Sequence, residues 1–177
     1  MSGSIGNSVF GALYFALLLI SCGESANSGS YRFHSPVEYH DFIVDQQNVI
    51  IRQMLKLNEL YDSGSEMAIR QRFDSLQATS KVCLTNIINL SSYDDDSVLR
   101  HDALALFRFY DAVFSKEYKR MLQIFLKGEN ATEADVAELN AIVESVGQQE
   151  EELQEKLIQS QIRFSTEHQF EFSPNGE

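Results

Sequence analysis

The sequence predicts an all-α protein, an antiparallel four-helix bundle with up-down-up-down topology. Strong helix breakers are rare: the two prolines are Pro36 and Pro174, and only Gly64, Gly128 and Gly147 lie between them. Helix-start signals divide the intervening chain into four segments, and apolar residues recur with helical spacing in each. Helices joined by turns of a few residues must alternate in direction, which predicts the bundle.

The first two segments begin with similar capping signals. Ser35-Pro36-Val37-Glu38 places serine at the N-cap, proline at the first helical position and glutamate at N3, so the first helix is predicted to begin at Pro36. Ser63-Gly64-Ser65-Glu66 repeats the capping-box pattern after a tight turn and predicts the second helix. The apolar residues that follow are Phe42, Val49, Ile50, Met54, Leu57 and Leu60 in the first helix and Met67, Phe73, Leu76, Val82, Cys83, Ile87 and Leu90 in the second.

The third segment is predicted to begin with Asp94 as its N-cap. It is predicted to end at Lys127-Gly128, where a cation in the last turn precedes a glycine. Phe109 lies off the apolar stripe of this helix and is either exposed or widens its buried face. The residues predicted to be buried are Leu99, Ala103, Leu106, Phe107, Tyr110, Val113, Phe114, Tyr118, Met121 and Phe125.

The fourth segment has the clearest periodicity and begins at Thr132-Glu133-Ala134-Asp135, an acidic variant of the capping box. Its apolar residues alternate by three and four positions, a repeat typical of antiparallel bundles, and Glu150 is the one interruption. The repeat is lost after about residue 168, so the bundle is predicted over residues 35–168 and a disordered tail over 169–177. The positions of the repeat are Val136, Leu139, Val143, Val146, Leu153 and Leu157, extended by Gln161 and Phe164.

The N-terminal segment has the features of an export signal that ends at Cys22. Residues 9–20 form an uncharged apolar stretch that is too short to span a bilayer, since a span takes roughly 20 apolar residues. Leu19-Ile20-Ser21-Cys22 resembles the lipobox of bacterial lipoproteins, in which a branched apolar residue and a small residue precede an obligatory cysteine. The basic region that normally opens such a signal is absent, because residues 1–22 contain no Lys or Arg. The alternative is an ordinary signal peptide or short membrane anchor in which Cys22 has no special role.

The resemblance implies a division of the chain and a location. Residues 1–21 would be a signal peptide, Cys22 would carry diacylglycerol on its sulfur, and residues 22–34 would form a flexible tether. The membrane is then a partner through lipidated Cys22. Neither Gly23 nor Glu24 is the aspartate that retains enterobacterial lipoproteins at the inner membrane. The outer membrane or cell surface is therefore expected, with the periplasmic face as an alternative. In general form the chain is also similar to small helical surface lipoproteins of spirochaetes and Bacteroidetes, a likeness that assigns no residue roles.

Cys83 is predicted to be a core residue. It has no disulfide partner if Cys22 is acylated, and it lies between the apolar residues Val82 and Leu84. Nothing near it in sequence would lower its pKa, so a catalytic thiol is not expected.

The net charge of −12 is unevenly distributed, because residues 128–155 contain nine acids and no Lys or Arg. Such a surface repels phosphate, so nucleic acid is not expected as a partner. It either faces a basic protein partner or is a solvated surface that keeps the domain soluble. The candidate partner-facing acids are Glu133, Glu138, Glu144, Glu151, Glu152 and Glu155.

The candidate metal ligands are few. The sequence contains no Glu-x-x-His pair of the kind that di-iron bundles use. His40-Asp41 and His101-Asp102 lie near the starts of the first and third helices, which share one end of an up-down bundle. The alternative interpretation is a surface cluster at the helix termini, and no cofactor is expected.

These observations predict a membrane-anchored lipoprotein whose bundle presents helical faces to a protein partner. No enzymatic activity is expected, because the chain lacks the phosphate-binding Gly-x-x-x-x-Gly-Lys motif, the hydrolase Gly-x-Ser-x-Gly motif and the haem-attachment Cys-x-x-Cys-His motif. The alternative is a carrier that holds a small apolar ligand or a metal ion between its helices. A sealed core with an exposed apolar strip favours the first function, and an internal cavity lined by convergent polar groups favours the second.

Overall fold

The structure is a computed structural model that describes residues 31–61, 64–94 and 97–172. The predicted signal peptide, Cys22 and the tether up to residue 30 lie outside these ranges. All regular secondary structure within them is helical, which confirms the all-α class. The helices are α1 (Pro36–Tyr61), α2 (Glu66–Ile88), α3 (Val98–Ser115), α4 (Glu117–Phe125) and α5 (Glu133–Glu167), with a 3-10 turn at Gly128–Asn130.

The starts of α1 and α5 confirm the predicted caps. Ser35 Oγ accepts the Glu38 backbone N–H (3.2 Å), although the Glu38 carboxylate accepts the N–H of His34 (2.7 Å). In α5 the capping box is complete: Thr132 Oγ1 accepts the Asp135 N–H (3.2 Å), and Asp135 Oδ2 accepts the Thr132 N–H (2.9 Å). Both starts were predictable because a capping box is a local interaction.

The starts of the other two segments differ from the prediction. The N-cap of α2 is Ser65, whose Oγ accepts the Ala68 N–H (3.3 Å), so Glu66 is the first helical residue and not N3. The N-cap position of α3 is Ser97, three residues after the predicted Asp94. Asp94 has a φ of 43° and forms part of the preceding turn, a left-handed conformation that aspartate tolerates better than most residues.

The predicted third helix is two helices, because the backbone leaves helical geometry at Lys116 (φ −126°, ψ −67°). In an unbroken helix the Phe114 carbonyl would accept a hydrogen bond from residue 118. It instead accepts one from the Gln77 side chain of α2 (2.9 Å). This bond satisfies a partly buried acceptor at the break, which allows α4 to take a new direction. Ile124 is consequently buried, while Phe125 is half-buried and contacts Tyr61 (4.5 Å between ring centroids).

We expect Gln77→Ala to lower the free energy of unfolding by about 1–2 kcal/mol, because the Phe114 carbonyl would lose its partner. Urea denaturation of both proteins measures the difference. Gln71→Ala on the same helix is the matched control, since Gln71 is exposed. An equal loss in the two variants would contradict a special role for Gln77.

The core lies between α1, α2, α3–α4 and α5. Along the chain α1 packs against α2, α2 against α3, and α5 against α3 and α4, whereas α1 and α5 approach each other less closely. Most predicted core residues are buried, but Met67 and Val82 are 78% and 60% exposed. Phe109 is half-buried and widens the packed face of α3. The largest fully buried side chains include Tyr39, Ile43, Ile50, Leu57, Leu76, Ile87, Leu99, Phe107, Tyr110, Phe114 and Phe164.

Residues on both sides of the helical region pack against it at one end. In the segment assigned to the tether, the Tyr31 hydroxyl donates to Asn86 Oδ1 (3.0 Å), and the Tyr31 ring lies 4.5 Å from that of Phe42. In the segment assigned to the tail, Gln169 adopts a φ of 58° and the Phe170 N–H bonds to the carbonyl of Ser165 (3.0 Å). With the Gln169 N–H bonded to Thr166, this is a Schellman cap. Residues 31–34 and 169–172 therefore belong to the folded domain, and 173–177 lie outside the described residues.

Gly147 allows a test of how much a glycine inside α5 costs in stability. A Cβ at this helical position would have no other atom within 4 Å, so Gly147→Ala is expected to raise the free energy of unfolding by about 0.5–1 kcal/mol. Gly64→Ala is the contrasting variant, because its Cβ would lie 2.7 Å from the Leu60 carbonyl oxygen and should destabilise the turn. Thermal denaturation measures both effects, and destabilisation by Gly147→Ala would contradict the prediction.

Among the described residues, no helix is both long enough and apolar enough to cross a membrane.

Candidate functional site

The one interruption in the apolar repeat of α5 is a buried carboxyl group. Glu150 is only 7% exposed, although it belongs to the most acidic part of the chain. Burial raises the pKa of its carboxyl group from 4.5 to about 7, because the apolar surroundings disfavour the charged form. Glu150 therefore changes its protonation state near neutral pH.

Glu150 ends a chain of hydrogen bonds that joins three helices. The Tyr110 hydroxyl of α3 donates to Glu150 Oε1 (3.1 Å) and accepts a bond from Gln154 Nε2 of α5 (2.8 Å). Gln154 Oε1 accepts a bond from Gln47 Nε2 of α1 (3.0 Å). We call Gln47, Gln154, Tyr110 and Glu150 the buried polar chain. Its bond between Gln47 and Gln154 links α1 to α5.

Helix geometry and aromatic packing place these groups together. Glu150 and Gln154 are one turn apart on α5, so their side chains share a face. Tyr110 is held by neighbours on its own helix: its ring stacks with that of Phe114 (5.9 Å, interplanar angle 5°) and lies 6.2 Å from the edge-on ring of Phe107. The rings hold the Tyr110 hydroxyl in place, and burial of the Glu150 carboxyl group accounts for the direction of its pKa shift.

The two phenols near Glu150 act as neutral groups. Burial and the charge of Glu150 raise the pKa of Tyr110 well above 10, and the same two causes raise the pKa of Tyr118, which packs edge-on against Phe114. Both hydroxyls therefore keep their protons at neutral pH, and that of Tyr110 donates its hydrogen bond to Glu150. The arrangement can bind and release one proton, but its burial keeps it away from a substrate in solution.

Two open surface depressions lie away from this centre. One, of about 440 Å³, is lined by Asp102, Ser160 and charged residues of α5 that include Glu152 and Lys156. The other, of about 510 Å³, lies along the first turns of α2. Neither is lined by a residue of the buried polar chain.

The predicted partner-facing acids are all exposed, but two have cation partners. Arg120 of α4 makes a bidentate pair with Glu138 (2.7 and 2.5 Å), and Lys156 pairs with Glu152 (2.6 Å). These hydrogen bonds lower the pKa of both carboxyl groups. Lys127 Nζ also donates a hydrogen bond to Asp135 Oδ1 (2.5 Å). This bond and the capping bonds from Thr132 lower the pKa of the Asp135 carboxyl group. The four remaining acids have no ion-pair partner among the described residues; they are Glu133, Glu144, Glu151 and Glu155.

The two His-Asp pairs do not form a common metal site. His40 is 4% exposed, with Nδ1 3.1 Å from Asp41 Oδ1, and the rings of the C-terminal segment pack against it. His101 is exposed and lies 3.1 Å from Asp102, which also accepts a bond from the Ser160 hydroxyl. Within the described ranges, no group of three or more His, Cys, Asp or Glu side chains is placed to hold a metal ion.

The prediction that Cys83 is a core residue is confirmed. Its side chain is 1% exposed, and burial raises the pKa of the thiol to about 11. Such a thiol is protonated at neutral pH and is a poor nucleophile.

One sequence signal indicated the buried polar chain, namely the position of Glu150 within an apolar repeat. Tyr110 fitted the core pattern of α3 equally well without a polar role. Gln47 and Gln154 had no distinguishing signal, because glutamine is common on helix surfaces.

Comparison with known proteins gives no match: no protein-family model fits the chain, and no similar sequence or fold was found among the curated proteins or the solved structures.

Proposed function

We propose that this protein is a membrane-anchored bacterial lipoprotein, held through acylated Cys22 at the outer membrane or cell surface. Its domain is an up-down-up-down four-helix bundle that serves as a non-enzymatic protein-interaction module. The observation that carries the proposal is the surface of α5, where Glu133, Glu144, Glu151 and Glu155 are exposed and form no ion pair with any other described residue.

Contacts at the two ends of α1 support the proposed topology. Tyr39, in the first turn of α1, lies 5.6 Å from Phe164 in the last turns of α5. Tyr61, the last residue of α1, lies 4.5 Å from Phe125 at the end of α4. The first contact joins the start of α1 to the end of α5, and the second joins the ends of α1 and α4. An alternating bundle requires this pattern, because in it α5 runs antiparallel to α1 and α4 runs parallel to it.

The position of Tyr31 supports a short anchor. The chain joins the helices at Tyr31, which is hydrogen-bonded to Asn86 near the end of α2. The nine residues from 22 to 30 span at most about 30 Å when fully extended. A lipid on Cys22 would therefore keep this end of the domain within a few nanometres of the bilayer.

Surface composition supports a protein partner over a carrier function. Glu150, Tyr110 and Gln154 bond to one another and do not turn their polar groups toward a ligand. Large apolar side chains are exposed on α1, α2, α3 and α5. The exposed apolar residues are Val37, Leu55, Met67, Val82, Ile88, Val98 and Ile162.

The anchor is tested by mass spectrometry of the mature N-terminus together with membrane fractionation. We expect the mature chain to begin at an acylated Cys22 and to sediment with membranes, whereas Cys22→Ser should not be acylated. An uncut leader, or a free thiol at Cys22, would overturn the lipoprotein assignment.

The interaction surface is tested by cross-linking in intact cells and affinity capture of the products. We expect Glu144→Gln with Glu151→Gln to weaken capture of a basic partner, and raised salt to have a similar effect. Glu59→Gln with Asp74→Asn is the matched control, because it removes the same charge from exposed positions of α1 and α2. Equal capture by both double variants would exclude the α5 acids from the interface.

A further inference from the structure

The contact between α1 and α5 depends on a few polar and aromatic groups. These helices approach each other less closely than the other neighbouring helices do. Midway along the contact, the Gln47 amide of α1 reaches Gln154 of α5, and the bonds continue through Tyr110 to Glu150. This chain therefore connects the carboxyl group to a helix contact that is less extensive than those of α1 with α2, α2 with α3 and α3 with α5.

We propose that Glu150 is a proton-controlled latch: its protonated carboxyl group keeps α1 closed against α5, and its ionisation loosens that contact.

The reason is that an ionised Glu150 would be poorly compensated. The ionisable groups that face it are Tyr110 of α3 and Tyr118 of α4, both neutral, while α1 contributes the amide of Gln47 and α5 that of Gln154. In the described part of the chain no Lys, Arg or His forms an ion pair with it. An isolated buried charge is strongly unfavourable, and admitting water relieves it. Water enters more easily where less extensive contacts must break, and α1 packs less extensively against α5 than against α2.

The sign of the effect follows from proton linkage. The pKa of Glu150 is raised from 4.5 to about 7 in the closed state. The closed state therefore holds the proton over a range in which an open, solvated carboxyl group has lost it, and closure weakens as pH rises through that range. The pKa values of the Asp135, Glu138 and Glu152 carboxyl groups are lowered, so their pH-dependent effects on stability occur at lower pH than that of Glu150. The lowered pKa of His40 acts in the opposite direction, because its neutral form is favoured in the folded state.

The test is amide hydrogen exchange of the full chain between about pH 5.5 and about pH 8.5, corrected for intrinsic exchange rates. We expect protection of the α1 amides around Gln47 to fall roughly 30-fold over this interval, the loss that a carboxyl group with these two pKa values produces. Infrared spectra should show the protonated carboxyl stretch of Glu150 disappearing over the same range. Glu150→Gln should remove both changes.

Two further variants separate a latch from a merely structural contact. Tyr110→Phe removes a donor that favours the ionised form, so the midpoint of the transition should move to higher pH. Gln47→Leu should reduce protection of α1 at every pH without moving the midpoint. The proposal would be overturned if α1 amide protection in the wild type varied with pH in parallel with that in Glu150→Gln. It would also be overturned if the Glu150 carboxyl group lost its proton without loss of α1 protection. These measurements do not depend on acylation or on a partner.

Discussion

Replacing Glu150 with glutamine is expected to raise the free energy of unfolding by about 3 kcal/mol at about pH 8 and to change it little at about pH 4.5. The raised pKa means that the folded state holds a proton that the unfolded state releases. Stability contributed by Glu150 is therefore present below the unfolded value of 4.5 and is lost as pH rises to about 7. Glutamine keeps the shape and an acceptor for Tyr110 but has no proton to lose. Urea denaturation across the pH range measures the difference.

Glu151→Gln is the matched control for this experiment. Glu151 is adjacent on α5 but exposed, so its variant should follow the wild-type profile within about 0.5 kcal/mol. Destabilisation by Glu150→Gln at about pH 8 would show instead that the ionised carboxylate is well compensated in the folded state.

The outline of the fold was accessible from sequence because the signals that define it are local. The Thr132–Asp135 box needs only four adjacent residues, and the repeat of α5 needs only its own apolar positions. The break at Lys116 was not accessible, because no proline or glycine marks it. It depends on Gln77, 37 residues away, meeting the Phe114 carbonyl. The start of α3 was not accessible either, because Asp94 lies in the preceding turn with a φ of 43° and the helix begins only after Ser97.

The sequence predicted the candidate site only in part, for a related reason. An acid within an apolar repeat is conspicuous, but whether Glu150 is solvated or buried depends on the helix opposite it. Tyr110 lies on that helix, with its hydroxyl against the carboxyl group and its ring stacked on that of Phe114. The His-Asp pairs illustrate the converse: sequence placed His40 and His101 at one end, but their side chains bond to their own neighbours. Sharing an end of a bundle does not bring side chains within coordinating distance.

Phe164→Ala is expected to lower the free energy of unfolding by about 3–5 kcal/mol, the usual loss for a fully buried phenylalanine. Its ring joins segments that are distant in sequence: it lies 5.6 Å from Tyr39 of α1, 5.8 Å from Tyr93 before α3 and 6.0 Å from Phe170 beyond α5. Removing it would leave a cavity at the end where both termini of the described chain dock. Chemical denaturation measures the global loss.

Phe109→Ala separates this role from the general loss of an aromatic ring. Phe109 is half-buried on α3, and its ring contact is with Tyr110 (6.0 Å). Its replacement should therefore destabilise the domain by less than half as much. Phe164→Ala should also release residues 169–172, because Phe170 loses the ring that completes its helix cap. Hydrogen exchange at Phe170 distinguishes the two variants: unchanged protection there in Phe164→Ala would mean that the Schellman bonds hold the C-terminal segment without the aromatic contact.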